Sequence, residues 1–118
     1  MEDEILPITS VEQLENLLRD QRKRGGRLLL FKHSTACPIS ASAFEEVRAF
    51  SREKPAALEM AMVLVIEHRA VSNAIADRFG VQHQSPQVLL IEGDRVRWHT
   101  SHWNITRDHL LEAVADKP

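Results

Sequence analysis

Three short, nearly unbroken apolar runs, RLLLFKH (27–33), MAMVLVIE (60–67) and PQVLLIE (86–92), are separated by stretches whose apolar residues recur at helical spacing. This alternation constrains the fold more than any other feature of the chain. Each run has the length of a buried strand. A strand that is apolar on both faces needs cover on both, and the intervening helices supply it.

The helical stretches carry their own boundaries. In PISASAFEEVRAFSRE (38–53), Ile39, Ala43, Val47 and Phe50 share a face, and Pro38 suits the first helical position. Val71, Ile75 and Phe79 lie four apart in a helix that Gly80 ends. TSVEQLENLLRDQRKRGG (9–26) offers Val11, Leu14, Leu17 and Leu18 as a buried stripe, capping-box spacing at Thr9–Glu12 or Ser10–Gln13, and a stop at Gly25-Gly26. A last helix over 104–115 has Thr106 as its cap, with Ile105 packing on Leu110 as a staple. RVRWHT (95–100) follows a Gly93-Asp94 turn and alternates like a half-exposed strand, while ILPI (5–8) suits a short edge strand that tolerates Pro7.

The expected order is therefore (β)αβαβαββα, an α/β fold and a single domain over 1–118. It has a mixed four- or five-stranded sheet with helices on both faces. Strands 27–33 and 60–67 form a right-handed parallel crossover, and the last two strands form an antiparallel hairpin.

Charge narrows the function classes. A net charge of −2, from 15 basic and 17 acidic residues, lacks the footprint of a nucleic-acid binder. The basic run Arg22, Lys23, Arg24 and Arg27 follows Glu12, Glu15 and Asp20 and reads as a solvated helix end. No stretch approaches the ~18 apolar residues of a membrane span. The acidic start MEDEILPITS lacks the basic and apolar regions of a signal peptide, so the expected compartment is the cytoplasm. The six histidines are scattered, and His99-x-x-His102 lacks a third ligand, so no metal site is expected.

The chemistry concentrates in HSTACPIS (33–40), which holds the only cysteine. A lone cysteine excludes an intramolecular disulfide and suits a reducing compartment. Cys37 falls at a strand-to-helix junction, in what reads as a C-x-x-C box whose second thiol is replaced by Ser40. The thiolate is the nucleophile in thiol–disulfide exchange, and a helix N-terminus favours negative charge. Ser40, one turn up the helix, can donate to the sulfur, and Lys32 and His33 can add positive charge. Ser34, Thr35 and Ser40 make the surroundings polar, which suits an exposed thiol better than an inert core cysteine. A hydroxyl cannot resolve a mixed disulfide, so a group captured on Cys37 must wait for an external thiol. Ser40 also reads as a helix-start residue bonded locally.

The element order, with a cysteine ending the first long strand and Ser85-Pro86 opening the third, resembles the thioredoxin fold along essentially the whole chain. FKHSTACPIS (31–40), with SPQVLLI and HWNIT, resembles the monothiol bacilliredoxin family. The resemblance implies an enzyme that removes bacillithiol from mixed disulfides on oxidised proteins. It implies Cys37 as the reactive residue and Ser40 at the place of a resolving cysteine. It further implies a cis Pro86 facing the sulfur, with the Ser85 backbone free to pair with an extended thiol ligand. Thr35 and Pro38 flank the sulfur in that ligand site. Lys32 either meets a ligand carboxylate or faces solvent, and Trp103 either walls the site or belongs to the core. Amides at Thr106–Asp108, or a nearby arginine, can hold the carboxylates of bacillithiol.

The implied protein binds no cofactor and takes bacillithiol as co-substrate. Its partners are S-bacillithiolated clients and either bacillithiol or a thiol–disulfide reductase. It is a monomer that engages neither nucleic acid nor membrane. Two rivals remain: a thioredoxin-fold stress adaptor without turnover, and an iron–sulfur carrier in which two chains each supply Cys37. Pro38 disfavours the carrier, since it removes an N–H beside the sulfur.

Overall fold

Strand β2 (Arg27–His33) is buried along almost its whole length because it is hydrogen-bonded on both sides and covered on both faces. β3 (Leu58–Leu64) lies parallel to it on one side, and β4 (Gln87–Glu92) antiparallel on the other. β1 (Ile5–Pro7) adds to β3 in parallel, and β5 (Arg95–Ser101) closes a hairpin with β4. The sheet has five strands in the order β1-β3-β2-β4-β5. The helices are α1 (Val11–Arg24), α2 (Pro38–Ser51), α3 (Arg69–Phe79) and α4 (Arg107–Val114), with a 3₁₀ turn at His102–Asn104. This computed structural model describes residues 5–115; the acidic start at 1–4, read above against a signal peptide, lies outside the described residues.

Alternation along β2 divides the core. Leu29 and Phe31 pack with Ala43, Val47, Phe50 and Leu110 beneath α2 and α4. Leu28 and Leu30 point the other way, onto Leu14, Leu18, Val71 and Ile75 from α1 and α3. The period of two in a strand therefore assigns each β2 side chain to one of two helical layers.

Local signals behave much as their chemistry dictates. Ser10 caps α1 by accepting from Gln13 N at 3.1 Å, while Gln13 Oε1 reaches back to Thr9 N at 2.9 Å. Gly25 and Gly80 end their helices in the left-handed conformation. Thr106 accepts from His109 N at 3.1 Å, and Ile105 and Leu110 are both buried.

Three expectations need correction. The second long strand stops at Leu64 rather than residue 67, because after a last ladder bond from Val65 N to His33 O the chain turns, with His68 N donating to Leu64 O at 2.8 Å. The last helix starts at Arg107, because the 3₁₀ turn occupies His102–Asn104. Val11, the first residue of α1, is exposed; the buried stripe runs Leu14, Leu18, Gln21. Gln21 is tolerated inside because its amide bonds Gly93 twice, donating to Gly93 O at 2.6 Å and accepting from Gly93 N at 3.3 Å.

Candidate active site

Cys37 is the N-cap of α2, in extended conformation and half-exposed. Its carbonyl accepts the first helical hydrogen bond, from Ala41 N at 3.0 Å. Its side chain caps no amide, and Pro38 occupies the first helical position. The sulfur therefore stands at the positive end of the helix with no competing internal role, where developing negative charge is favoured.

Ser40 lies one turn further and is fully buried. Its hydroxyl oxygen accepts from Ser34 N at 2.8 Å and is 2.7 Å from His33 Nδ1. The direct Ser40–Cys37 hydrogen bond read from the sequence is not among the bonds this hydroxyl makes in the structure. His33 is itself buried, stacked on Phe31 and tilted against Phe44 of α2. Burial holds His33 below its ordinary value, with the Glu67 carboxylate pulling part of the way back. The ring is therefore neutral near pH 7 and does not supply the expected positive charge. Thr35 is exposed and donates to Glu67 Oε2 at 3.3 Å, which ties the box loop to the turn after β3. Ser34 Oγ accepts from Ala36 N at 3.3 Å and shapes the loop between them.

The Ser85–Pro86 bond is cis. Gln87 pairs with Lys32 across the antiparallel ladder, so Pro86, one residue earlier, stands beside the His33 end of β2. The register thus brings the proline turn and the cysteine loop to the same end of the sheet. Pro86 O accepts from His102 N at 3.0 Å and holds the 3₁₀ turn against it. Trp103 on that turn is 67% exposed, which removes it from the core and leaves it available as a wall.

Lys32 and the α4 amides depart from expectation. Lys32 is fully buried and, one residue before His33, points to the opposite face of the sheet. There its Nζ lies 3.2 Å from His83 Nδ1, which is also 3.2 Å from Ser72 Oγ of α3. Burial pushes the Lys32 ammonium down to about 8. A ligand carboxylate at the protein surface cannot reach it. At α4, Arg107 N already donates to Glu46 Oε1 at 2.8 Å, and the Arg107 guanidinium is paired with Glu53 and Asp108. The helix start that was to hold a ligand carboxylate already holds one from α2. Sequence reasoning missed Glu46, Glu67, Ser72 and His83, because each meets its partner across at least eleven residues of chain and no local motif marks it.

Among the described residues, no group of three or more His, Cys, Asp or Glu side chains could hold a metal ion, and no helix is long and apolar enough to cross a membrane. A hollow of about 440 Å³ lined by Ile5, Leu17 and Met60 lies at the β1 edge, two strands from the cysteine loop. The structure thus presents a half-exposed thiol at the start of α2, at the end of the sheet where the cis-proline turn also lies.

The family model described as "Monothiol bacilliredoxin BrxC" matches residues 6–110. A solved structure described as a candidate oxidoreductase with a thioredoxin fold is 25% identical, with a TM-score of 0.81 and 95% of each chain covered. Thioredoxin from Fasciola hepatica is 17% identical (TM-score 0.74, covering 93% of this chain and 96% of that one). Thioredoxin NaTrxh from Nicotiana alata is 15% identical (TM-score 0.78, covering 97% and 92%). The two thioredoxins establish the fold alone.

Proposed function

The chain belongs to the monothiol bacilliredoxin family and is a thiol oxidoreductase of thioredoxin fold; from that premise we propose that it removes bacillithiol from mixed disulfides on oxidised proteins. The Cys37 thiolate attacks the bacillithiol sulfur of the mixed disulfide. That S–S bond breaks, and the client sulfur leaves as a thiolate that takes a proton from water. Cys37 now carries bacillithiol in a new disulfide. A second bacillithiol thiolate, or a thiolate of a thiol–disulfide reductase, attacks the bacillithiol sulfur of this bond; a new disulfide joins the incoming sulfur to bacillithiol, and Cys37 leaves as its thiolate. The electron pair that reduces the client thus comes from the second thiol.

The observation that carries the reading is the pairing of a half-exposed cysteine at a helix N-cap with a buried serine at the fourth position of the box. Cys37 can capture, and Ser40 cannot resolve. Thr35, Pro38, the Ser85–Pro86 backbone and Trp103 bound the thiol ligand. Ser85 presents its N–H and C=O to it as an added strand would. Lys32 takes no part in this contact. The protein works as a cytoplasmic monomer, with no bound cofactor and with bacillithiolated proteins as its clients.

Intact mass spectrometry after incubation with a bacillithiolated client tests the proposal. One bacillithiol adduct should move to the wild type and none to Cys37→Ser. Transfer to Cys37→Ser, or none to the wild type, would overturn it.

A further inference from the structure

The register brings four loops to one end of the sheet. Leu64 of β3 pairs with His33 of β2, and Gln87 of β4 pairs with both Lys32 of β2 and Ser101 of β5. The turn after β3, the cysteine loop after β2, the cis-proline turn before β4 and the 3₁₀ turn after β5 therefore lie side by side in that order. Of the four large hydrophobic side chains exposed among the described residues, two belong to this row: Ile66 at 51% and Trp103 at 67%. They stand at its opposite ends, with the cysteine loop between them, and the residue next to Ile66 is a carboxylate.

Glu67 is exposed, and its Oε2 accepts from Thr35 Oγ1 at 3.3 Å. Thr35 lies two residues before Cys37, so their Cα atoms are at most about 7 Å apart. Among the described residues, no lysine or arginine forms an ion pair with Glu67. The cations of this end of the sheet, Lys32 and Arg69, act on His83 in the loop before β4 and help to hold it below its ordinary value. The field of Glu67 reaches the buried His33 at the base of the box, whose proton it helps to retain. The cysteine loop is therefore bordered on its β3 side by a carboxylate that the fold leaves without a cation.

We propose that Glu67 selects clients: its carboxylate pairs with a lysine or arginine next to the client's mixed-disulfide cysteine, so that basic client segments are reduced faster than acidic ones. The mixed disulfide has two unlike ends. The small thiol carries carboxylates, which Glu67 repels; the client chain is the end that can bring a cation to it. A lysine or arginine also has an aliphatic stem, which suits the exposed Ile66 beside Glu67 while the charged head stays in water. The small thiol then extends the other way along the row, toward the Ser85–Pro86 turn and Trp103. The pairing is made at the surface, so the preference is modest, roughly twofold to fivefold, and shrinks with salt.

The inference rests on the proposed exchange at Cys37 but not on the identity of the small thiol, so the test runs in two series. Peptides that differ only in a lysine, alanine or glutamate beside a single cysteine are prepared as bacillithiol and as 2-mercaptoethanol mixed disulfides. Reduced protein is added in excess at low ionic strength, and loss of the mixed disulfide is timed by mass spectrometry. Dithiothreitol in place of the protein gives the ratio due to peptide chemistry alone. Relative to that ratio, the wild type should consume the lysine peptide roughly twofold to fivefold faster than the alanine peptide, and the glutamate peptide more slowly. Glu67→Gln, which keeps an oxygen for Thr35, should remove the preference, Glu67→Lys should reverse it, and high salt should flatten it. A wild-type ratio equal to that of dithiothreitol would overturn the proposal, as would a preference unchanged in Glu67→Gln or no reaction in the 2-mercaptoethanol series. A preference in the 2-mercaptoethanol series without any reaction in the bacillithiol series would instead sink the proposed function and leave the selectivity of Glu67 standing.

Discussion

Replacing Lys32 with methionine removes a buried ammonium with little change of volume. The wild-type ammonium loses its water on folding and keeps one hydrogen-bond partner, His83 Nδ1 at 3.2 Å. Burial lowers Lys32 from 10.5 to about 8. At 1.36 kcal/mol per tenfold change in proton affinity, the charged form costs the fold up to about 3 kcal/mol. Residual solvation of Nζ makes this a ceiling, and about 2 kcal/mol is the working value. The sign follows from linkage. Between about 8 and 10.5 the unfolded chain binds more protons at Lys32 than the native one, so stability rises with pH across that window. At neutral pH the wild type bears the full cost. Methionine creates no orphan, because Ser72 Oγ also lies 3.2 Å from His83 Nδ1. Urea unfolding from pH 6.5 to 10.5 is the assay. Lys32→Met should be more stable than the wild type by about 2 kcal/mol at neutral pH, a midpoint shift of roughly 1 M. The gap should close as pH rises through the window. A constant gap, or a variant less stable at pH 7, would refute the reasoning that the ammonium is buried at a cost.

The remaining predictions address the box and its supports. Ser40→Cys should not simply yield an efficient dithiol box: sulfur cannot match contacts of 2.7 and 2.8 Å to two buried nitrogens, and the loss should be about 1–3 kcal/mol by chemical denaturation. Trp103→Ala should leave stability within about 0.5 kcal/mol while slowing transfer from a bacillithiolated client, read by stopped mass-spectrometric time points; equal rates would remove Trp103 from the ligand site. Glu46→Ala should cost roughly 1 kcal/mol and speed amide exchange at Arg107, whose N–H it accepts at 2.8 Å. Burial depresses both His33 and His83, so the unfolded chain binds more of their protons just below pH 6.5. Stability should be full above that pH and fall as pH drops through the folded values, and His83→Asn should flatten part of the fall.

Much of the site was legible because its elements are short-range. The N-cap position of Cys37 and the start of α2 follow from Cys-Pro at the end of an apolar run. The helix caps at Ser10 and Thr106 follow from residues three apart. His33 was visible as a neighbour of the box, but its burial was not. A strand residue at the edge of a motif can face either layer, and only the register says which. The same ambiguity misled the reading of Lys32. Adjacent in sequence, Lys32 and His33 serve opposite faces of the sheet, so the lysine expected beside a ligand faces α3 instead. The amides at 106–108 were open to a ligand on paper because Glu46 lies sixty-one residues before Arg107.

The alternation of apolar strands with amphipathic helices, by itself, determined a mixed sheet covered on both sides with a lone thiol at a helix mouth. Those properties depend on hydrophobic period and on the nearest few residues. The choice between four and five strands, the partner of the Lys32 ammonium and the neutral state of the histidine were decided only when distant segments met. Burial and hydrogen-bond geometry, which set charge state and partner, belong to that assembled surface and are written nowhere in a local window.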